Sequence, residues 1–181
     1  MTKTHDLTTG SLAGHFLRLA VPAAIGMVFS TLYNVVDVFF AGLISTDAQA
    51  GLAISFQAFF VFVTIGFGLG SAMTALVGNA IGAKNTADAS KIAMQGIGFA
   101  ILASALLIIM ALVLGPHLLA FISTEGAYRD AGTAYFTILL FSLPGFVMGY
   151  GLNGLLQARG DTVSMQYALI GAFFANIGLN P

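Results

Sequence analysis

Cysteine and tryptophan are absent from the 181 residues, charge is scarce and proline occurs four times. Without cysteine there is no disulfide framework and no thiolate metal site. Charged residues make up 7% of the chain, against about 25% in ordinary soluble domains, while hydrophobic residues reach 58%. That balance is the composition of a membrane protein, with lipid as its surroundings. The six Lys and Arg are scattered and the net charge is −1, which excludes the basic patch that a nucleic-acid partner requires. The amino-terminal run MTKTHDLTTGSLAGHF lacks a short apolar core followed by a small-residue cleavage site. No cleaved signal peptide is therefore expected, and the first span acts as its own insertion signal. His5, His15 and His117 fall in the tail or at span ends, with no serine or acid spaced to form a triad. Enzymatic activity is not expected.

The few charges divide the chain. Uncharged runs of 36 residues between Asp47 and Lys84, 33 between Lys91 and Glu125, 28 between Asp130 and Arg159, and 20 from Thr162 onward each exceed the roughly 18 needed for a helical crossing. With the segment from Arg18 to Asp47 they predict an all-α membrane protein of five transmembrane helices, at approximately 16–44, 50–80, 92–122, 131–157 and 163–181. If the amino terminus is cytoplasmic, Lys3, Arg18, Lys84, Lys91 and Arg159 lie inside and Arg129 alone lies outside, the asymmetry that sets orientation. Turn chemistry supports the boundaries. Gly82 and Asn85 with Asp88 as a helix cap, Gly126 after the third span, and Gly160 followed by Asp161 or Thr162 as a cap all stand between apolar runs.

Inside the first span stands Asp37, with no charge in the 18 residues before it or the nine after it. A carboxyl group at that depth costs roughly 2.5–3.5 kcal/mol to insert if ionised and unpartnered. Counting back, Asn34, Tyr33, Ser30 and Gly26 share its side of a helix, a polar stripe that must face protein or a wet cavity because lipid offers no hydrogen bonds. Pro22, about four turns earlier, removes a backbone bond and predicts a bend. At 1.5 Å per residue Asp37 and Asn180 each lie about 28 Å beyond a cytoplasmic flanking charge, so the first and fifth helices can meet there. An acid, the amides Asn176 and Asn180, and Tyr33 form a set able to hold a proton on Asp37 or to coordinate Na⁺ through oxygens.

Other polar stripes have a plainer expectation. Gln57, Thr64, Gly68 and Ser71 in the second span, and Ser142, Asn153 and Gln157 with Tyr150 in the fourth, are expected to bond neighbouring helices. Gln166 falls roughly on the side of Asn176 and Asn180. The pairs Gly66–Gly70, Gly78–Gly82 and Gly145–Gly149 are small-xxx-small patterns for close helix approach, and Pro144 predicts a kink in the fourth span.

Four segments together carry a family resemblance: LRLAVPAAIGMVFSTLYNVVDVFFAGLIST, GNAIGAKN after the second span, LLQARGDT after the fourth, and ANIGLNP at the end. In this order they resemble the amino-terminal half of the multidrug and toxic compound extrusion (MATE) transporters. The resemblance implies a two-lobed cation-coupled antiporter of the bacterial inner (plasma) membrane. Such a protein exports organic cations and other amphiphilic compounds by alternating access, driven by H⁺ or Na⁺ and needing no cofactor. It also implies that Asp37 is the first-helix acid, Tyr33 the tyrosine a turn before it, Pro22 the first-helix proline that serves as a hinge, and Asn176 the fifth-helix asparagine. In the family an aspartate usually follows that asparagine four residues later; here the position is Asn180, which supplies a carbonyl oxygen but no titratable proton. Asp37 is then the sole intramembrane proton carrier of this half, with H⁺ the expected coupling ion and Na⁺ at Asp37, Asn176 and Asn180 the lesser alternative. Against a two-lobed architecture, residues 1–181 correspond to a truncated amino-terminal lobe, part of a six-helix unit, with the sixth helix and the second lobe, the carboxy-terminal half, as missing partners. Two other readings remain, a lipid-linked sugar flippase of the same superfamily and a non-transporting membrane assembly subunit.

Overall fold

The structure, a computed structural model, describes residues 11–179. Among the described residues it is helical, without strands. Its elements are α1 (Leu12–Ile44), α2 (Thr46–Gly82), α3 (Thr86–Ile122), α4 (Ala127–Leu139), a 3₁₀ turn (Leu140–Ser142), α5 (Leu143–Ala158) and α6 (Ser164–Leu179). Leu12–Ile44, Thr46–Gly82, Thr86–Ile122 and Ala127–Ala158 are each long and apolar enough to cross a membrane. The fifth expected span is described over the 16 residues of α6, about 24 Å of helix at 1.5 Å per residue.

Local chemistry sets each boundary. Ser45 serves two helices at once: its N–H donates to Ala41 O at the end of α1, and its hydroxyl accepts from Ala48 N at the start of α2. At the end of α2, Lys84 N–H donates to Ile81 O and Asn85 N–H to Ala80 O, the paired bonds of a Schellman stop. The left-handed residue of that turn is Lys84 (φ 59), not Gly82 as the glycine pattern suggested. The cap of α3 also differs from expectation. Asn85 accepts from Asp88 N–H and donates its amide to Asp88 Oδ2, so Asp88 is the third helical residue of a reciprocal cap. After α5 the expected left-handed glycine is found at Gly160 (φ 74), and Asp161 caps α6 by accepting from Val163 N and Ser164 N.

Helix α2 is the spine. Its buried face, from Gly51 to Val77, carries Phe59, Phe62 and Val63 into a core shared with Ala100, Leu107 and Ala111 of α3, Phe136 of α4, and Leu143 and Val147 of α5. Two close approaches fix the packing. Against α4, Ser55 donates its hydroxyl to Gly132 O at 2.7 Å, beside Gly51, where a Cβ would stand 2.8 Å from Gly132 N. Against α5, Thr74 donates to Gly70 O at 2.9 Å and to Gly154 O at 3.2 Å, where the backbones nearly touch. Of the small-residue pairs read from sequence, Gly66 and Gly70 meet α5, whereas Gly145 and Gly149 have nothing within 4 Å of a would-be Cβ. The α5 glycines that face α2 are Gly151 and Gly154. The expected kink before Pro144 takes the form of the 3₁₀ turn at Leu140–Ser142.

Helix α1 stands apart. Only 6% of its most apolar stretch is buried, against 39% for α2. It pairs with α6 over its middle, from Gly26 to Asp37, and Gln49 of α2 donates to Val38 O toward its carboxy-terminal end. Arg129 of α4 is tied to the end of α3: its guanidinium donates to the carbonyls of Ala120 and Ser123 and to Ser123 Oγ. The one cation expected outside thus neutralises the end of α3, where carbonyls lack partners.

Candidate functional site

The seam between α1 and α6 joins the sequence's main candidates. Asn176, the buried residue of α6, donates its amide Nδ2 to Asp37 Oδ1 at 2.7 Å. The two residues lie 139 positions apart, so the fold itself brings them together. A bond of that length to a carboxyl oxygen is of the short, charge-assisted kind when the acid is ionised. Asp37 is half-buried and Asn176 only 9% exposed, which keeps water from competing freely. The other amide atom, Asn176 Oδ1, is buried without a hydrogen-bond partner.

Aromatic residues support the seam on both sides. Phe29 of α1 meets Phe173 edge-on at 5.4 Å and Phe174 at 6.5 Å. Such contacts contribute about 0.5–1.5 kcal/mol beyond burial and align the helices one to two turns from Asp37. Tyr135 of α4 interacts electrostatically with Asp37 and Tyr33. Its ring also packs on Phe56 of α2 at 6.0 Å. The site therefore draws on α1, α4 and α6.

The remaining candidates are placed as follows. Tyr33 sits beside Asp37 at the edge of the seam, partly exposed. Asn34 is exposed, and its amide nitrogen donates to Ser30 O of its own helix at 2.9 Å, so its carbonyl is the atom it has left to offer. Helix α1 runs on through Pro22. Asn180 lies outside the described residues. On α2 the stripe of Gln57, Thr64, Gly68 and Ser71 is exposed and does not pack within this chain as expected. No cluster of three or more His, Cys, Asp or Glu occurs among the described residues.

Sequence reasoning missed Tyr135. Its depth within the fourth span was readable, but which neighbours it faces depends on the rotation of α4, which is set where α4 meets α2 at Gly51 and Gly132. Phe29 and Phe173 were indistinguishable from lipid-facing phenylalanines because residue spacing does not show which faces of α1 and α6 meet.

This arrangement sets an amide donor of α6 against a carboxyl oxygen of α1. Comparison with known proteins gives the geometry its context. The family model MatE matches residues 22–181. The probable multidrug resistance protein YoeA of Bacillus subtilis is 25% identical over 162 residues, covering 89% of this chain and 35% of that protein. The probable multidrug resistance protein NorM of Thermotoga maritima is 26% identical over 146 residues, covering 81% of this chain and 32% of its own length. The chain thus spans about a third of the length of the curated relatives it matches. Among solved structures, a MATE protein in complex with MaL6 superposes with a TM-score of 0.88 at 24% identity, covering all of this chain and 40% of that one. An outward-facing multidrug resistance MATE family transporter gives 0.85 at 24% identity over 92% of this chain and 37% of its own. These likenesses establish the fold.

Proposed function

The chain belongs to the MatE family, and from that membership we propose that it forms part of the amino-terminal lobe of an antiporter that exports organic cations or amphiphilic drugs by alternating access. Asp37 is the group that takes up and releases the coupling ion, Asn176 and Tyr33 hold it, and Pro22 is the hinge of α1. The rest of the relatives' length supplies the sixth helix and second lobe, against which the exposed polar stripe of α2 packs or lines a shared cavity.

One observation carries this reading: the 2.7 Å bond between Asp37 and Asn176 across two helices. A carboxyl group kept in a membrane at several kcal/mol and given a directed donor is set up for reversible loading. The atom that Asn176 presents to Asp37 is its NH₂ group, a donor that suits a carboxylate and repels a metal cation. This supports H⁺ over Na⁺ as the coupling ion. A bacterial inner membrane with the amino terminus cytoplasmic fits the same reading, since Lys84, Lys91 and Arg159 are exposed at one set of helix ends.

Transport of a lipid-linked sugar is less favoured. A phosphate headgroup needs cations facing the cavity, and the one partly buried described cation, Arg129, is already bonded to carbonyls of α3. The test is export of a fluorescent organic cation by the complete protein in liposomes under a pH gradient. Proton movement opposite to the dye, acidifying the compartment that the dye leaves, supports coupled antiport. Dye movement without proton movement would refute it.

A further inference from the structure

Hydrogen bonding does not account for the place of Gln166, in the first turn of α6. Its carbonyl Oε1 is buried and accepts no hydrogen bond, a state that costs free energy. What the side chain has is a seat. Oε1 occupies the space where a Cβ at position 26 would stand, over the buried backbone of Gly26 on α1. Residues three and four apart are neighbours on a helix surface, so this notch is bounded by Pro22 and Ala23 below and by Phe29 and Ser30 above. Phe29 is itself packed on Phe173 of α6. Farther along the same two helices, Asn176 meets Asp37 at 2.7 Å. Asp37 is 11 residues beyond Gly26 and Asn176 is 10 beyond Gln166, about 16 Å and 15 Å of helix rise. The helices therefore run in the same direction with two contacts at matched spacing. Both contacts fall on the carboxy-terminal side of Pro22, within unbroken helix.

We propose that Gln166 is a positioning residue for the coupling site: seated in the Gly26 notch, it fixes the register of α6 on α1 at which the Asn176 amide meets Asp37. The inference rests on the reading of Asp37 as the coupling group. Since Oε1 finds no donor, the seat works by shape, and only a position without a Cβ admits the end of the side chain. Helix α6 is continuous over its 16 residues, so an offset at Gln166 is passed on to Asn176. A slip of one turn, about 5.4 Å, takes the amide out of hydrogen-bond range of Asp37. Forcing the two helices apart has the same result. Glutamine suits the task because it is long enough to reach α1 and carries no titratable proton, so it leaves the ion chemistry to Asp37.

The experiment uses the complete protein in liposomes and reads the infrared stretch of the Asp37 carboxyl group, assigned by subtracting the spectrum of Asp37→Asn. Asn176→Leu shows where the band lies without the amide donor. Gly26→Ala puts a methyl where the Gln166 amide sits and should move the band to that same position, although neither Asp37 nor Asn176 has changed. Adding Gln166→Asn shortens the side chain by one carbon to make room for the methyl and should return the band. A Gly26→Ala protein with the original band, or a double variant no nearer to it than the single one, overturns the proposal. Should Gly26→Ala fail to fold, two variants at position 166 decide. Gln166→Ala empties the notch and should move the band toward that of Asn176→Leu, whereas Gln166→Met fills it and should not. Equal bands in those two variants overturn the proposal. The band reports the contact whether or not Asp37 drives export. Failure of the transport reading therefore leaves these spectra as they are, and failure of the positioning role leaves the export test unaffected.

Discussion

Gly154→Ala should destabilise the helical bundle, whereas Gly149→Ala, five residues earlier on the same helix, should stabilise it. A Cβ at position 154 would fall on the carbonyl oxygen of Gly70, with Gly70 C at 3.0 Å and Gly70 Cα at 3.1 Å. These are backbone atoms of α2 and cannot rotate away. The helices must separate instead, and overpacking of this kind costs about 1–3 kcal/mol. Separation also breaks the hydroxyl bridge of Thr74 to Gly70 O and Gly154 O, worth about another 1 kcal/mol. Alanine returns about 1 kcal/mol in helix propensity, leaving a net loss of about 1–3 kcal/mol. At Gly149 nothing lies within 4 Å of the added methyl, so only the propensity gain of about 0.5–1 kcal/mol remains. The assay is denaturant or thermal unfolding of the complete protein in detergent, comparing the two variants with the original. A Gly154→Ala protein as stable as its parent, or two variants that fall equally, would refute the argument that α2 and α5 are in backbone contact there.

Asn176→Leu should insert and fold, because it removes a buried, unpartnered Oδ1 along with the donor to Asp37. Coupled export should fall by about tenfold or more, the worth of a hydrogen bond to a charged group; original rates in dye efflux would contradict this. Gly160→Ala places a side chain at φ 74 and should lower the unfolding free energy by about 1–2 kcal/mol. Lys84→Gly, at φ 59, should raise it by relieving the same strain, both checked by the same unfolding assay.

Much of this fold was legible because a membrane removes alternatives. Charges cannot sit among acyl chains, so Asp47, Lys84, Glu125 and Arg159 marked the helix ends to within a few residues. The Asp37–Asn176 pairing was approachable for a related reason, since a buried acid needs a polar partner and few were available at that depth. What could not be read was rotation about each helix axis. Gly149 and Gly154 belong to the same helix and differ only in which way they point, and the glycine spacing favoured the wrong pair, Gly145 and Gly149. Tyr135 stayed hidden because its approach to Asp37 depends on how tightly α4 sits on α2 at Gly132. Caps failed where two residues were chemically suited: Asn85 and Asp88 both accept amide protons, and only the backbone path decides which stands first.

The central claim is that Asp37 sits inside the membrane because loading and unloading it drives export. Asp37→Asn keeps the shape of the side chain and its contact with Asn176, and it removes the titratable proton. In the complete protein, reconstituted in liposomes with a pH gradient, the account predicts normal insertion and no gradient-driven efflux of an organic cation. Gradient-driven efflux at the original rate would contradict it.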